Sequence, residues 1–106
     1  MSDLNHQNIA TVNSNLQPAP VTIASATTVA PTTFLTFISG TIAIGTITPP
    51  VTGAHMLVFI YTSTTPGTVL TTGNVVNAIV PTFNLPTFLV YNPITGKYHG
   101  GTTNLT

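Results

Sequence analysis

The sequence predicts an all-β fold, a small antiparallel β-sandwich or barrel, and three observations lead to this prediction. Nine prolines and eight glycines are spread along the 106 residues, which leaves no clean window for a helix of about 12 residues. Threonine occupies 23 positions, and threonine is favoured in strands together with valine and isoleucine. Short apolar segments recur between turn signals, which is typical of sandwiches and barrels.

The first 20 residues differ from the rest of the chain in composition. They are rich in Asn, Gln and Ser and end in "QPAP". This composition predicts an extended N-terminal arm or linker over residues 1–20, followed by a single β domain over residues 21–106. Two readings of the arm stay open, a disordered tail or a segment that orders on a neighbouring molecule.

The first half of the domain contains four predicted strand regions: "VTIASATTV", "TFLTFIS", "TIAIGTI" and "HMLVFIYT". The third alternates at Ile42 and Ile44 and then changes register at Gly45, which indicates a bulge or bend. The fourth is a continuous apolar run of strand length, which is typical of a strand covered on both faces.

The second half continues the strand pattern with "GTVLTTG", "NVVNAIV" and "TFLVYN". Its last turn, "NPITG", combines a proline with fixed φ and a glycine in a permissive position. Lys97, Tyr98 and His99 are then expected to begin a return strand. Similar proline and glycine turn signals separate the other segments, at Ser39-Gly40, Pro49-Pro50, Pro66-Gly67 and Gly73-Asn74.

The charge inventory excludes several classes of function. Lys97 is the only basic residue apart from the histidines, and Asp3 is the only acidic one. The chain therefore cannot neutralise a phosphate backbone, and we expect neither nucleic-acid binding nor attraction to acidic lipids. Prolines bracket the longest apolar window, so no membrane association is expected. A formal net charge of zero gives little electrostatic repulsion between copies, so we expect the chain to be part of a stable assembly rather than a free monomer.

The same inventory argues against catalysis and against a metal or cofactor. A single carboxylate side chain, in the N-terminal segment, cannot supply a pair of acid and base groups. His6, His55 and His99 lack the spacing of a chelating pair, and the sequence has no cysteine. We therefore predict no enzyme, no cofactor and no metal site within one chain. One alternative stays open, in which a symmetric oligomer gathers three copies of one histidine on its axis.

A resemblance covers roughly residues 40–100. The segments "GTIAIGTITPPVTGAHMLVFI", "TTGNVV" and "LVYNPITGKYHG" resemble the β-rich parts of phage virion proteins of the capsid decoration (cement), head-fibre and tail-fibre type. The closing turn carries Asn92 where that pattern usually has Asp, and Tyr98 where it usually has Trp. The resemblance implies a homotrimer on a virus particle, with no catalytic residues to carry over.

These arguments lead to a structural hypothesis for the function. We expect a capsid decoration protein on the exterior of the virion that binds the major capsid protein, or another virion protein, as a homotrimer. The last hairpin is the expected docking element, with Tyr91, Lys97, Tyr98 and His99 as candidate contacts. The alternative is a small trimeric fibre or host-attachment module of a phage that binds a receptor or glycan through exposed tyrosines and amides.

Overall fold

The computed structural model describes residues 19–102, and within this range every regular element is a β-strand. The all-β prediction is therefore confirmed. The predicted arm lies almost entirely in residues 1–18, outside the described part. In chain order the strands are β1 (Val21–Ala24), β2 (Thr28–Val29), β3 (Leu35–Ser39), β4 (Thr46–Ile47), β5 (His55–Tyr61), β6 (Pro86–Asn92) and β7 (Lys97–Thr102).

The strands form a five-stranded sheet in the order β1-β3-β5-β6-β7 and a two-stranded sheet of β2 and β4. The prediction of an antiparallel arrangement is wrong for part of the fold. The β1–β3, β3–β5 and β2–β4 pairs are parallel, while β5–β6 and β6–β7 are antiparallel. Parallel neighbours need crossover connections, and here β2 and β4 lie within those crossovers. Neither sheet closes into a barrel.

The core lies between one face of the five-stranded sheet, here called the inner face, and a second layer of short strands and loops. The inner face contributes Ile38, Leu57, Phe59, Tyr61 and Leu89, all fully buried. The second layer packs its own apolar side chains into the same cluster, and these are Val29, Ile44, Ile47, Val69, Val75 and Ile79.

The register change predicted at Gly45 is confirmed. The backbone N–H groups of Gly45 and Thr46 both donate to the Thr27 carbonyl, each at 2.9 Å, so two residues face one in the manner of a bulge. Before this point Ile44 pairs with Val69, and after it β4 pairs with β2. The glycine therefore marks the place where the chain changes partners.

The segments "GTVLTTG" and "NVVNAIV" were predicted as strands, and this prediction is wrong. They form only isolated bridges, at Val69, Val75 and Ile79. The physical reason is that side chains take the place of a strand partner. The Asn74 amide group receives the Ile47 N–H at 2.8 Å and donates to the Ile47 carbonyl at 2.7 Å. A single side chain thus satisfies both backbone groups of an edge residue.

A second asparagine closes the outer edge of β7. The Asn77 side chain donates to the Gly100 carbonyl at 2.7 Å and accepts the Gly100 N–H at 3.2 Å. Two residues earlier, the Tyr98 N–H donates to the Asn74 carbonyl at 2.7 Å and the Tyr98 carbonyl accepts the Val76 N–H at 2.8 Å. The backbone groups that β7 presents at these two positions are therefore all hydrogen-bonded.

The central strand β5 is covered on one face only by the described residues. Its inner side chains are buried, whereas Met56, Val58 and Ile60 alternate onto the opposite face and are exposed or half-buried. The apolar run therefore predicted the strand correctly. It also predicted that both faces of the strand are covered, and residues 19–102 cover only one of them. In this range there is also no helix long and apolar enough to cross a membrane.

Candidate docking hairpin

The last predicted hairpin forms, with β6 and β7 joined by a four-residue turn from Pro93 to Gly96, and its role in docking stays a prediction. Asn92 organises the turn: its side-chain oxygen accepts the Ile94 N–H at 3.0 Å and its carbonyl accepts the Gly96 N–H at 2.8 Å. Gly96 has φ of 69°, a conformation that glycine adopts without steric cost. The sequence "NPITG" thus specifies a single defined turn.

Ile94 lies at the tip of this turn and is 93% exposed, the most exposed large apolar residue of the described chain. An isoleucine in such a position contributes no hydrophobic stabilisation to the folded state, because its side chain stays in water. The sequence reasoning did not single it out. The signal was an isolated β-branched apolar residue inside a proline–glycine turn, where polar residues are the usual choice.

The base of the hairpin is held on the inner face by a row of aromatic rings. His55, Tyr91 and Tyr98 lie side by side on three neighbouring strands. The His55 ring stacks on Tyr91 with centroids 4.9 Å apart, and Tyr91 contacts Tyr98 at 4.8 Å. Phe34 extends the row beyond His55, at 5.9 Å. The row fixes the orientation of the hairpin relative to the rest of the sheet.

Hydrogen bonds at both ring nitrogens hold His55 in place. Nδ1 lies 2.7 Å from the Gly53 carbonyl, and Nε2 lies 2.8 Å from the Tyr98 hydroxyl. Since a carbonyl can only accept, the proton of the neutral ring lies on Nδ1, and Nε2 accepts from tyrosine. Burial raises the pKa of the Tyr98 hydroxyl, and the neighbouring Tyr91 raises it further, so this hydroxyl keeps the proton that it donates.

The structure divides the four predicted contact residues between the two faces of the sheet. Tyr98 is fully buried, so its side chain belongs to the core and is not accessible to a partner in this structure. Tyr91 lies beside it on the inner face and is half-buried. Lys97 and His99 alternate to the opposite face and are exposed. Of the four predicted contact residues, Lys97 and His99 are exposed to a partner, and Ile94 at the tip is the most exposed apolar side chain beside them.

Among residues 19–102 Lys97 has no acidic partner, because this range contains no carboxylate side chain. Its cross-strand neighbour is Asn92, which is neutral and engaged in the turn. No carboxylate of residues 19–102 therefore neutralises the ammonium group, and pairing with a carboxylate on another molecule stays a prediction. A charged hydrogen bond of this kind contributes most when the partner is bound and water is displaced.

The described residues contain no group of three or more His, Cys, Asp or Glu side chains that could hold a metal ion. His55 and His99 project from opposite faces of the sheet, and His6 is outside the described range. Two of the three tyrosines that the sequence offers for glycan binding, Tyr61 and Tyr98, are fully buried. Their rings cannot stack on a sugar, and only Tyr91 keeps part of its surface accessible.

A comparison of the chain with family models, with curated proteins and with solved structures finds no match.

Proposed function

We propose that the protein is a structural virion component, a capsid decoration protein that docks on the major capsid protein or another virion protein through its β6–β7 hairpin. The observation that carries this proposal is the Ile94 side chain, held almost fully in solvent on a hydrogen-bonded turn. The uncharged composition and the resemblance to phage virion proteins support the same conclusion. The proposed assembly is a homotrimer on the capsid exterior.

The turn is suited to docking because it is organised before binding. Two hydrogen bonds to Asn92 and the conformation of Gly96 fix the backbone, so little conformational entropy is lost when a partner binds. Burying the isoleucine side chain in an apolar pocket contributes about 1.5–3 kcal/mol. Lys97 lies three residues after Ile94 and offers one charge for orientation. The partner should therefore present an apolar pocket with a carboxylate at its rim.

Binding of Ile94 variants to virus particles that lack the protein tests this proposal. Ile94→Ser removes most of the apolar surface at the tip, and we expect binding to weaken at least about tenfold. Val80→Ser is the matched control, because Val80 is 74% exposed and lies outside the hairpin. If both variants bind like the natural chain, the hairpin is not the docking element.

Lys97→Met provides a second readout on the same particles. If Lys97 pairs with a carboxylate, this variant should weaken binding and reduce its dependence on salt. Unchanged binding at low ionic strength would show that the lysine is only solvated.

The alternative function is a fibre or host-attachment module, and one observation favours it. Phe34, His55 and Tyr91 form a row of partly accessible rings, and aromatic surfaces of this kind bind sugars. A glycan array with the purified protein tests it, with Tyr91→Ala as the comparison. Glycan binding that Tyr91→Ala abolishes and Ile94→Ser leaves intact would support the attachment module over the decoration protein.

A further inference from the structure

The outer face of the five-stranded sheet, the one opposite the core, carries a continuous apolar surface. Three cross-strand rows build it, because paired residues point to the same side. The central row joins Leu35, Val58 and Phe88. On its two sides lie Phe37 with Ile60 and Met56 with Val90. Met56 is 49% exposed and Val90 50% exposed.

Polar residues surround this outer face. Thr22 and Ser39 lie on the β1 side, and His99 and Lys97 lie on the β7 side. An apolar centre with a polar rim is the arrangement found at interaction sites. A sheet that meets water on one face normally alternates apolar and polar residues along its strands. The strands β3, β5 and β6 do not follow this rule, since both of their faces are apolar.

The parallel pairing of β1, β3 and β5 adds an independent argument. Sheets made only of parallel strands are covered on both faces almost without exception; in this mixed sheet the parallel part is β1, β3 and β5, and the described residues cover one of its faces. Whatever packs on the outer face must present an apolar surface that is nearly free of charge. Charged groups placed against Leu35, Val58 and Phe88 would lose their hydration without compensation. The same face of another copy meets this requirement.

The charge and the size of the face both fit a second copy. The chain has a formal net charge of zero, so two copies approach without repulsion. Five strands about 4.8 Å apart and about five residues long give each face roughly 400 Å² in projection. Two such faces, enlarged by the relief of their side chains, approach the ~1,200 Å² at which specific interfaces begin.

We propose that the outer face is the surface through which copies of this chain associate. This inference goes beyond the proposed function, because a face that packs on the same face of a second copy makes a twofold contact and gives a dimer, separate from the contact that would build the proposed homotrimer. It does not involve the hairpin tip or the virus particle. Sheets packed face to face lie about 10 Å apart, so Met56 of each copy is buried in the contact. A contact at the small end of specific interfaces is typical of weak association, and we expect a dissociation constant in the micromolar range.

The absence of cysteine from the chain allows a direct test with Met56→Cys in the full-length protein. We expect the maleimide labelling rate of this cysteine to fall about fivefold between ~1 µM and ~100 µM protein, as self-association buries it. Val80→Cys is the control, and its labelling rate should not depend on concentration. Sedimentation over the same range should show the monomer giving way to a dimer.

Two results would overturn the proposal. A monomer with slow labelling of Met56→Cys at every concentration would mean that another part of the same chain covers the face. A monomer with fast labelling of Met56→Cys at every concentration would mean that the outer face binds a different protein.

A charged pair of substitutions provides a second test that preserves the fold. Met56 and Val90 are direct cross-strand partners, so Met56→Lys combined with Val90→Glu places opposite charges side by side and should leave stability nearly unchanged. Burying these charges in a contact between copies is costly, and association should weaken at least about 100-fold. Undiminished association of a folded double variant would refute the proposed face.

The two proposals can fail separately. Self-association is measured on the purified protein with the hairpin intact. Docking is measured on particles with Ile94→Ser, a variant that leaves the outer face unchanged. If the double variant no longer self-associates, the inference about the outer face is supported. If Ile94→Ser still binds the particles in the same set of experiments, the proposed docking element is refuted.

Discussion

The Nε2 atom of His55 lies 2.8 Å from the hydroxyl of Tyr98, and this bond joins β5 to β7 across the intervening strand β6. The Tyr91 ring lies between the two partners in the same cross-strand row. The base of the hairpin is therefore tied to the centre of the sheet by a polar bond as well as by ring packing.

Tyr98→Phe should destabilise the fold by about 1 kcal/mol, because it removes this hydrogen bond and leaves the imidazole nitrogen without its donor. Chemical denaturation measures the change. Tyr91→Phe is the control, since within residues 19–102 the Tyr91 hydroxyl makes no hydrogen bond. Equal effects of the two substitutions would show that the bond contributes nothing to stability.

Tyr61→Phe should have the opposite sign. The Tyr61 hydroxyl is buried and has no hydrogen-bond partner among the described residues, so its removal eliminates a desolvated polar group. We expect a stabilisation of up to about 1 kcal/mol, measured by the same denaturation experiment. A clear loss of stability would indicate that the hydroxyl has a partner outside residues 19–102.

Alkaline pH should destabilise the protein through these tyrosines. Burial raises the pKa of both Tyr61 and Tyr98. A raised pKa in the folded state means that the contribution to stability is complete below the unfolded value of about 10 and is lost as pH rises above it. The free energy of unfolding should therefore fall above pH ~10. Tyr61→Phe should flatten this decline, and an unchanged slope would contradict the assignment.

Asn74→Asp should cost about 2 kcal/mol. A carboxylate still accepts the Ile47 N–H but cannot donate to the Ile47 carbonyl, and it would place negative charge against that oxygen. Asn77→Asp makes the same chemical change at an exposed position, where water screens the charge, so its cost should be smaller. Thermal unfolding of the pair measures the difference, and equal costs would argue against the importance of the Ile47 contact.

Gly96→Ala should cost about 1 kcal/mol, because its φ of 69° brings an alanine Cβ close to the backbone. No other atom lies within 4 Å of that Cβ position, so the cost is conformational. Gly53→Ala is the control, since Gly53 also has open space around it and has no left-handed conformation. Gly96→Asn should recover part of the loss. Indistinguishable alanine variants would contradict this conformational cost.

The sequence predicted the strands that have an apolar pattern and a clear turn, as at Gly45 and at the β6–β7 hairpin. It could not predict that β1, β3 and β5 run parallel, because that order depends on crossovers through a second layer made of two-residue strands. It also could not distinguish a strand from a segment paired by side chains, as at Asn74 and Asn77. For the candidate site, strand alternation separates Tyr98 from its neighbours Lys97 and His99. Only the tertiary packing shows which of the two sides is buried.

The two asparagines also affect how copies of the sheet can join at their edges. At Tyr98 and Gly100 the backbone groups on the outer edge of β7 are occupied by residues 74–77. An incoming strand would have to displace these bonds before it could add there. Endless growth by edge pairing needs two free edges on every molecule, so blocking one of them makes such growth self-limiting. A nearly uncharged, apolar chain is thereby protected from polymerising into fibrils through its main sheet.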